Sequence, residues 1–397
     1  ISLVACTVSA QEYGWQVINT EAIPGIIDFT DISFVSQNEG WITTNTTNEI
    51  YKTNDGGTSF STQTTEYGTQ AVYALDSTHA YSGGLNGRVY YTSDGGLNWP
   101  AIGSISVTLN DLDFASSSQG YACGSSGAVF SIANGSVSNL NSPSSATLRG
   151  ISTPSIDNVW VCGGSSIFYY NGSIFSGQVG PSGTFNDIHF INNQEGWVVG
   201  NVGLIAHTDD GGASWTTQTN PDTQNRSLYG VFFFDADYGW AVGVDGVILY
   251  TSNGGSTWSV VGAGLTTEAL SSVHFTSSTN GYVVGNGKTL LKYGELTSIG
   301  DDEIPFDNLL FQNYPNPFNP ETEISYQVSG VSKVSLSIYD IKGRLIKTLL
   351  DNIEQSGNHS VIWSGKDNDN NPVCSGIYFS RLQVGNKILT KRMVLLK

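Results

Sequence analysis

The stretches TNDGGTSF (53–60), TSDGGLNW (92–99), TDDGGASW (208–215) and TSNGGSTW (251–258) are four copies of one short pattern, which decides the fold of most of the chain. The Asp or Asn side chain in each copy can accept hydrogen bonds from the amides that follow, and the glycines supply the positive φ of a tight turn. We therefore predict that the polar residue forms a turn and that the final aromatic residue packs between neighbouring repeats. The residues assigned to this structural role are Asp55, Asp94, Asp210, Asn253, Trp99, Trp215 and Trp258.

Each copy lies near the end of a longer repeat of four short strands. An apolar strand comes first, a glycine–aromatic pair opens the second, and the third leads into the turn pattern, as in residues 228–261. The second-strand aromatic residues, spaced 37 to 43 residues apart, are Trp41, Tyr81, Tyr121, Trp160, Trp197, Trp240 and Tyr282. A period of about 40 residues with four strands per repeat is typical of a β-propeller. The sequence therefore predicts a seven-bladed β-propeller.

The seventh repeat ends early. It stops after Tyr293 without a turn pattern or a fourth strand, whereas Trp15-Gln16-Val17-Ile18 matches the fourth strand of other repeats. We predict that this N-terminal strand completes blade seven and closes the ring, which removes two exposed sheet edges. Trp15 is the residue predicted to hold the closure.

The turn pattern resembles the Asp-box (BNR) repeat, Ser/Thr-x-Asp-x-Gly-x-Thr-Trp. Together with GWVVG (196–200) and GWAVG (239–243), it is similar to the seven-bladed propellers of the photosystem II assembly-factor type. The predicted propeller domain spans residues 11–294. The resemblance implies the fold, and it implies no particular activity.

The composition changes after the propeller. Residues 295–311 are acidic and are interpreted as a linker. Residues 312–397 alternate apolar and polar side chains in short strands separated by tight turns, which predicts a small immunoglobulin-like β-sandwich. The fold class predicted for the whole chain is therefore all-β.

The C-terminal domain carries YPNPFNP (314–320), IYD (338–340), SGIY (375–378) and TKRMVL (390–395). These pieces resemble the type A C-terminal sorting domain of the type IX secretion system. The resemblance implies export across the outer membrane of a Gram-negative bacterium, with the secretion machinery as a partner, and a secreted or cell-surface location. It also implies a sorting signal that contains Gly376, Tyr378, Lys391 and Arg392.

Residues 1–10 are typical of the end of a signal peptide, with Val8-Ser9-Ala10 as a small-residue cleavage site. A second interpretation is that Leu3-Val4-Ala5-Cys6 is a lipobox and that Cys6 carries lipid. No other apolar run is long enough to span a bilayer, so we predict no membrane span.

The charge is distributed unevenly along the chain, whose net charge is −18. Residues 312–397 hold ten Lys and Arg against seven Asp and Glu, so the remainder carries a net charge of −21. An acidic propeller repels phosphate backbones, which excludes nucleic acid as a partner.

Cys123 and Cys162 occupy equivalent positions in neighbouring repeats, too far apart for a disulfide, and we predict that they are small buried side chains. No cofactor is predicted.

Some Asp-box propellers are sialidases or xyloglucan hydrolases, so an enzyme is the alternative class for this propeller. A sialidase needs three arginines around the substrate carboxylate, but Arg88, Arg149 and Arg226 do not lie in the sequence context of that family. Asp235 and Asp237 form a carboxylate pair, but they lie in a turn. The five histidines are scattered, and Asp-x-Asp-x-Asn at 367–371 lacks the downstream Glu of a calcium loop. We therefore predict neither an enzyme nor a metal site.

The loops opposite the Asp boxes form the predicted binding face. The polar residues placed there are Asn86, Arg88, Arg149, Asn201, Arg226, Asp245 and Lys288. With Tyr67 and Tyr229 beside them, they could hold a sugar or a peptide. We predict a secreted or cell-surface binding or scaffold propeller for a surface glycan or a protein. The alternative is an extracellular glycoside hydrolase that acts on polysaccharide.

Overall fold

The computed structural model describes residues 13–45, 47–296 and 309–396, the last range without residues 312, 314, 329–331, 355–356 and 385–386. The predicted signal peptide, Cys6 and residues 297–308 of the predicted linker lie outside the described residues. The chain divides into two compact units, Ile1–Thr297 and Ser298–Lys397. Throughout the described residues, the regular elements are β-strands and three-residue 3-10 turns, so the predicted all-β fold class is confirmed.

The first unit contains seven antiparallel four-stranded sheets, which are the blades of the predicted propeller. The strands of blades 1 to 3 are Phe29–Phe34, Gly40–Thr44, Glu49–Thr53 and Ser61–Thr64; Thr69–Ala74, Ala80–Gly84, Arg88–Thr92 and Ala101–Ser104; and Leu109–Ser116, Gln119–Gly124, Val129–Ala133 and Ser136–Asn139. Those of blades 4 to 6 are Gly150–Ser155, Asn158–Gly163, Ser166–Tyr170 and Phe175–Gln178; Phe185–Phe190, Gly196–Gly200, Ile205–Thr208 and Thr216–Thr217; and Leu228–Phe233, Tyr238–Gly243, Ile248–Ser252 and Ser259–Val261. Blade 7 consists of Leu270–Ser277, Asn280–Gly285, Thr289–Glu295 and, as its fourth strand, Tyr13–Val17.

The first strands of the blades form the inner ring. Each contacts the first strands of the blades on either side, and the first strand of blade 1 contacts those of blades 2 and 7. The N-terminal strand pairs antiparallel with the third strand of blade 7, with Trp15 opposite Tyr293. Each of the seven blade junctions contains its own hydrophobic cluster. The core is therefore a circle of separate clusters around a central channel.

The glycine–aromatic pairs of the second strands have a packing explanation. Trp197 stacks on Phe233 of the next blade at 3.5 Å between ring centres, and Trp240 stacks on Phe275 at 3.5 Å. In blade 6, the glycine before the aromatic residue is Gly239, and it leaves room for the ring of Phe233 in the same blade. A Cβ on Gly239 would lie 2.4 Å from the ring of Phe233. The pair therefore places a large ring on one face of the strand and a gap on the other.

Short 3-10 turns join the second and third strands in four blades: Leu85–Gly87, Ser125–Gly127, Asn201–Gly203 and Val244–Gly246.

The second unit is a two-sheet β-sandwich. One sheet contains Leu309–Leu310, Thr322–Val328 and Gly357–Trp363; the other contains Leu345–Glu354, Ser332–Asp340, Gly376–Val384 and Lys387–Leu395. Buried side chains of both sheets, Trp363 and Met393 among them, form one hydrophobic cluster.

Candidate functional site

The Asp-box side chains are engaged within their own turns. Asp94 accepts hydrogen bonds from Thr92 Oγ1 at 2.9 Å and from the backbone and side-chain nitrogens of Asn98 at 3.0 and 2.7 Å. Equivalent bonds are made by Asp55, Asp210 and Asn253. Because hydrogen bonds from the side chains at Asn98 and Ser214 stabilise the charged carboxylates, the pKa values of Asp94 and Asp210 fall to about 2.

A glutamine that the sequence analysis missed fixes the Asp box to the preceding blade. Gln63 Oε1 accepts from Trp99 Nε1 at 2.9 Å, and Gln63 Nε2 donates to the carbonyl of Gly95 at 2.9 Å. Trp99 and Trp258 are buried, whereas Trp215 is half-buried. Two further junctions have a glutamine at the same place, Gln178 and Gln218. Each lies three residues after the aromatic residue that opens a fourth strand, and this spacing is the signal that could have revealed it.

Two of the three arginines on the predicted binding face are paired with carboxylates. Arg88 Nη2 lies 3.4 Å from Glu66 Oε2. Arg226 Nε donates to the buried carboxylate of Asp222 at 3.0 Å, and Arg226 Nη1 donates to the backbone carbonyl of Asp245 at 3.2 Å. The fold thus brings Arg226 and Asp245 together, but Arg226 contacts the backbone carbonyl of Asp245 and not its side chain. The carboxylate that pairs with Arg226 belongs to Asp222, which was not predicted.

Other residues of this face are separate or committed elsewhere. Lys288 Nζ donates to the carbonyl of Ile23 at 2.8 Å, so this cation fastens blade 7 to the N-terminal segment. Asn86 and Asp245 are exposed at the tips of 3-10 turns, with φ of 55° and 53°. Lys288 is therefore engaged within the protein, whereas the side chains of Asn86 and Asp245 face solvent.

Arg149 differs from the other two arginines. Its side chain is exposed, and none of the ion pairs among the described residues involves it. Arg149 Nη1 donates to Asn186 Oδ1 at 3.3 Å, while Asn186 Nδ2 donates to Asn201 Oδ1 at 2.9 Å. The structure therefore brings Arg149 and Asn201 together through Asn186, a residue that sequence analysis did not single out.

Arg149 belongs to a ring of equivalent positions at one mouth of the central channel. It aligns with the second residue of the first strand in each other blade, and all six of these residues are polar: Thr30, Gln70, Asn110, Asn186, Tyr229 and Ser271. We call these seven residues the polar rim. Arg149 is its single charged member. A rim of uncharged donors and acceptors with one guanidinium is suited to an anionic ligand such as a carboxylate.

Three carboxyl groups lie one residue further along the inner strands of alternate blades. These are Asp31, Asp111 and Asp187, and each accepts a backbone N–H of the following blade at 2.8 Å. Blades 2, 4 and 6 have only small residues at this position: Ala71, Gly150 and Gly230. A Cβ on Gly150 would lie 2.8 Å from Asp187, so the small residues leave room for the carboxyl groups. The three acids thus link blade 1 to blade 2, blade 3 to blade 4 and blade 5 to blade 6, and Asp31 also accepts from Ser272 of blade 7 at 2.7 Å.

Burial raises the pKa of all three acids. Repulsion from the other two adds to the rise for Asp111, and the pKa of Asp187 reaches about 7 even though backbone amides stabilise its charged form. Burial lowers the pKa values of His189 and His274 to about 4. Each ring Nδ1 accepts an inner-strand amide of the next blade, at 3.3 Å. All five side chains therefore act as acceptors between blades.

The remaining candidates have local roles. Asp235 Oδ1 accepts the amides of Asp237 and Tyr238 at 2.9 and 2.8 Å, which is the geometry of a turn. Cys123 and Cys162 are buried free thiols whose pKa is raised by burial. The described part of the chain contains no cluster of three or more His, Cys, Asp or Glu side chains that could hold a metal. Nor does any helix in that part have the length and apolar character to cross a membrane.

The predicted sorting residues lie on the last two strands of the sandwich. Tyr378 is buried and its hydroxyl donates to the carbonyl of Cys374 at 2.7 Å, whereas Lys391 and Arg392 are exposed. Asn316 Nδ2 donates to the carbonyl of Arg392 at 3.2 Å, and Asn316 Oδ1 accepts an amide of the same strand at 2.9 Å. The proline-rich segment is thus fixed to the strand that carries the two cations.

Two family models match parts of the chain. The model described as photosynthesis system II assembly factor YCF48 matches residues 177–267, and the model described as a secretion system C-terminal sorting domain matches residues 312–396. No curated protein sequence matches the chain.

Solved propeller structures are similar to the chain. A structure of YCF48 bound to a D1 peptide has a TM-score of 0.60 and 18% identity, over 72% of this chain and 98% of that one. YCF48 from Cyanidioschyzon merolae has a TM-score of 0.59 and 18% identity, over 71% of this chain and 98% of that one. The WD40 β-propeller domain of Doa1 has a TM-score of 0.60 and 13% identity, over 72% and 98%. The chain therefore joins a propeller of this fold to a C-terminal sorting domain, which implies export by type IX secretion.

Proposed function

We propose that the chain is a secreted, non-enzymatic binding propeller that recognises a peptide segment of a protein partner at its polar rim. The observation that carries the proposal is Arg149, an exposed guanidinium that pairs with no carboxylate of the described residues, on a chain with a net charge of −18. The sorting domain supports delivery of this propeller to the cell surface or the medium through the type IX machinery.

The electrostatics of the rim favour an anionic group on the ligand. Arg88 and Arg226 already have Glu66 and Asp222 as partners, so a ligand carboxylate would have to displace these acids. Within the described part of the chain, the Arg149 guanidinium donates to a neutral amide oxygen at 3.3 Å, and its planar donors can bind both oxygens of a carboxylate. The acidic surface would repel polyanions in general, so a single well-placed carboxylate fits better than a phosphate backbone.

The rest of the rim favours a peptide as the carrier of that carboxylate. Gln70 offers an amide donor and acceptor, Asn110 offers an amide oxygen, and Tyr229 is 38% exposed. Such side chains complement the N–H and carbonyl groups of an extended backbone. The solved YCF48 structure with a bound D1 peptide supports peptide binding as a use of this fold. A hydrolase has no comparable support, since Asp31, Asp111 and Asp187 are held by backbone amides between blades.

The test is binding of the full chain to an array of peptides that differ in their C-terminal group. Peptides with a free carboxylate should bind, and their amidated forms should bind at least tenfold more weakly. Arg149→Glu should abolish binding, whereas Arg88→Glu, the same charge reversal at a paired arginine of the same face, should alter it less than threefold. Equal binding by Arg149→Glu would contradict the proposal. A glycan array with product release monitored in parallel would contradict it if glycans, and not peptides, bind or are cleaved.

A further inference from the structure

The junction between blades 5 and 6 shows how an Asp box fills the space beside the preceding blade. The Gly254 carbonyl of the box accepts from Trp197 Nε1 at 3.2 Å and from Gln218 Nε2 at 2.9 Å. The next glycine lies against the same carboxamide, because a Cβ on Gly255 would come within 2.0 Å of Gln218 Oε1. The junction between blades 4 and 5 repeats the arrangement with Trp160, Gln178 and Gly211.

The junction between blades 6 and 7 lacks both of these fillers. Blade 7 has no Asp box, because its third strand, Thr289–Glu295, runs past Tyr293 and its fourth strand comes from the N-terminal segment. No box carbonyl therefore reaches Trp240, the blade 6 equivalent of Trp197. The position of Gln218 is taken by Val261, which has no carboxamide.

A cavity of about 310 Å³ lies at this junction. We call it the blade 6–7 cavity, and its main lining residues are Trp15, Trp240, Tyr250, Val261, Leu265 and Tyr293. Trp15 Nε1 is buried and has no hydrogen-bond partner among the described residues. Trp240 is held in place by its stack on Phe275 at 3.5 Å. An unpaired buried N–H is unfavourable, so the cavity is suited to a ligand that brings an acceptor.

Trp215, at the junction between blades 4 and 5, differs from Trp15 in its surroundings. Trp215 Nε1 is also unpaired, but its junction contains Gln178 Oε1, an acceptor that is equally unpaired. A small side-chain movement can satisfy these two groups together. Trp15 has no such neighbour, because Val261 stands where the glutamine would be.

We propose that the blade 6–7 cavity binds a glycine-containing turn of a partner polypeptide, whose backbone carbonyl accepts from the indole N–H groups of Trp15 and Trp240. The occupant is inferred from the junctions between blades 1 and 2, 4 and 5, and 5 and 6, where a Gly-Gly turn of this chain fills the equivalent space. The lining has no charged side chain, which favours a neutral amide over a carboxylate or a phosphate. The volume is at the lower end of ligand pockets, about 300–1,000 Å³, and suits the tip of a turn.

The test uses the full chain with ¹⁵N-labelled tryptophan and the capped peptide Ac-SNGGST-NH₂, which copies residues 252–257. Trp240→Phe assigns one indole signal. The peptide should shift the Trp15 and Trp240 indole signals in a saturable way, and Ac-SNAAST-NH₂, in which both glycines are alanine, should not. Arg149→Glu should bind the peptide like the unaltered chain, because the polar rim is a separate site.

Two variants test the geometry. Val261→Gln supplies the missing carboxamide, so it should raise the melting temperature and weaken peptide binding at least tenfold. Trp240→Phe keeps an aromatic ring on Phe275 but removes one donor, and it should weaken binding several-fold even if Val261→Gln does not fold. The proposal is overturned if the peptide causes no saturable shift, if Trp240→Phe binds as tightly as the unaltered chain, or if methyl glycosides shift these indole signals and the peptide does not.

Discussion

Replacement of Trp15 by alanine tests whether the N-terminal strand holds the propeller closed. The Trp15 ring meets Phe275 edge-on at 5.8 Å and lies 5.3 Å from the ring of Tyr293, and its strand pairs with residues 291–295. Loss of a buried tryptophan costs about 3–5 kcal/mol. Because Trp15 is half-buried and borders the blade 6–7 cavity, we expect the lower end of that range.

This loss should be visible in thermal unfolding of the full chain. At roughly 2–4 °C per kcal/mol for a unit of this size, a loss of about 3 kcal/mol lowers the melting temperature by about 6–12 °C. Tryptophan fluorescence is the suitable probe, since eight of the nine tryptophans lie in residues 13–296. Val17→Ala is the matched control: Val17 is on the same strand but 55% exposed, and its replacement should change the melting temperature by less than about 2 °C. An unchanged melting temperature for Trp15→Ala would refute the closure argument.

Three further predictions address the inner ring, the blade packing and the sorting domain. The pKa of Asp187 is raised in the folded state from 3.8 to about 7, so its contribution to stability is present below pH 4 and is lost as the pH rises through 7. The free energy of unfolding of Asp187→Asn should therefore rise relative to that of the unaltered chain between pH 4 and 8, by at most about 4 kcal/mol. Denaturant titrations at several pH values measure this difference, and parallel pH profiles of the two proteins would disprove it. Gly239→Ala should lower the free energy of unfolding by about 1–3 kcal/mol, because its Cβ would lie 2.4 Å from Phe233, while Gly294→Ala, with its nearest contact at 4.0 Å, should be near neutral. Deletion of residues 312–397 in a type IX-competent host should leave the propeller in the periplasm, as fractionation would show, and continued secretion would exclude the sorting role.

The fold could be predicted because its signals are local and repeated. The Asp-box turns need glycine at positive φ, and Gly239-Trp240 places a ring on one face of a strand and a gap on the other. These requirements recur in successive blades, so the period appears in the sequence without knowledge of the contacts. In the same way, the alternation of apolar and polar side chains in the last 86 residues predicts the β-sandwich.

The binding face could be predicted only in outline. The sequence placed Arg88, Arg149 and Arg226 on one face as equals, but Glu66 and Asp222 pair with two of them. Whether a loop carboxylate reaches a particular arginine depends on loop geometry, which leaves no periodic signal. The carboxyl groups between blades were missed for a related reason, since their partners are backbone amides of the next blade.

The sequence by itself determined the number of blades, the Asp-box turns, the missing fourth strand of blade 7 and the sorting domain, because each depends on residues that are near neighbours along the chain. Only the tertiary structure decided which arginine pairs with no carboxylate of the described residues and what lies at each blade junction. The blade 6–7 cavity shows the physical reason. Trp15 and Trp240 are more than 200 residues apart, and the space between them exists only once the ring has closed.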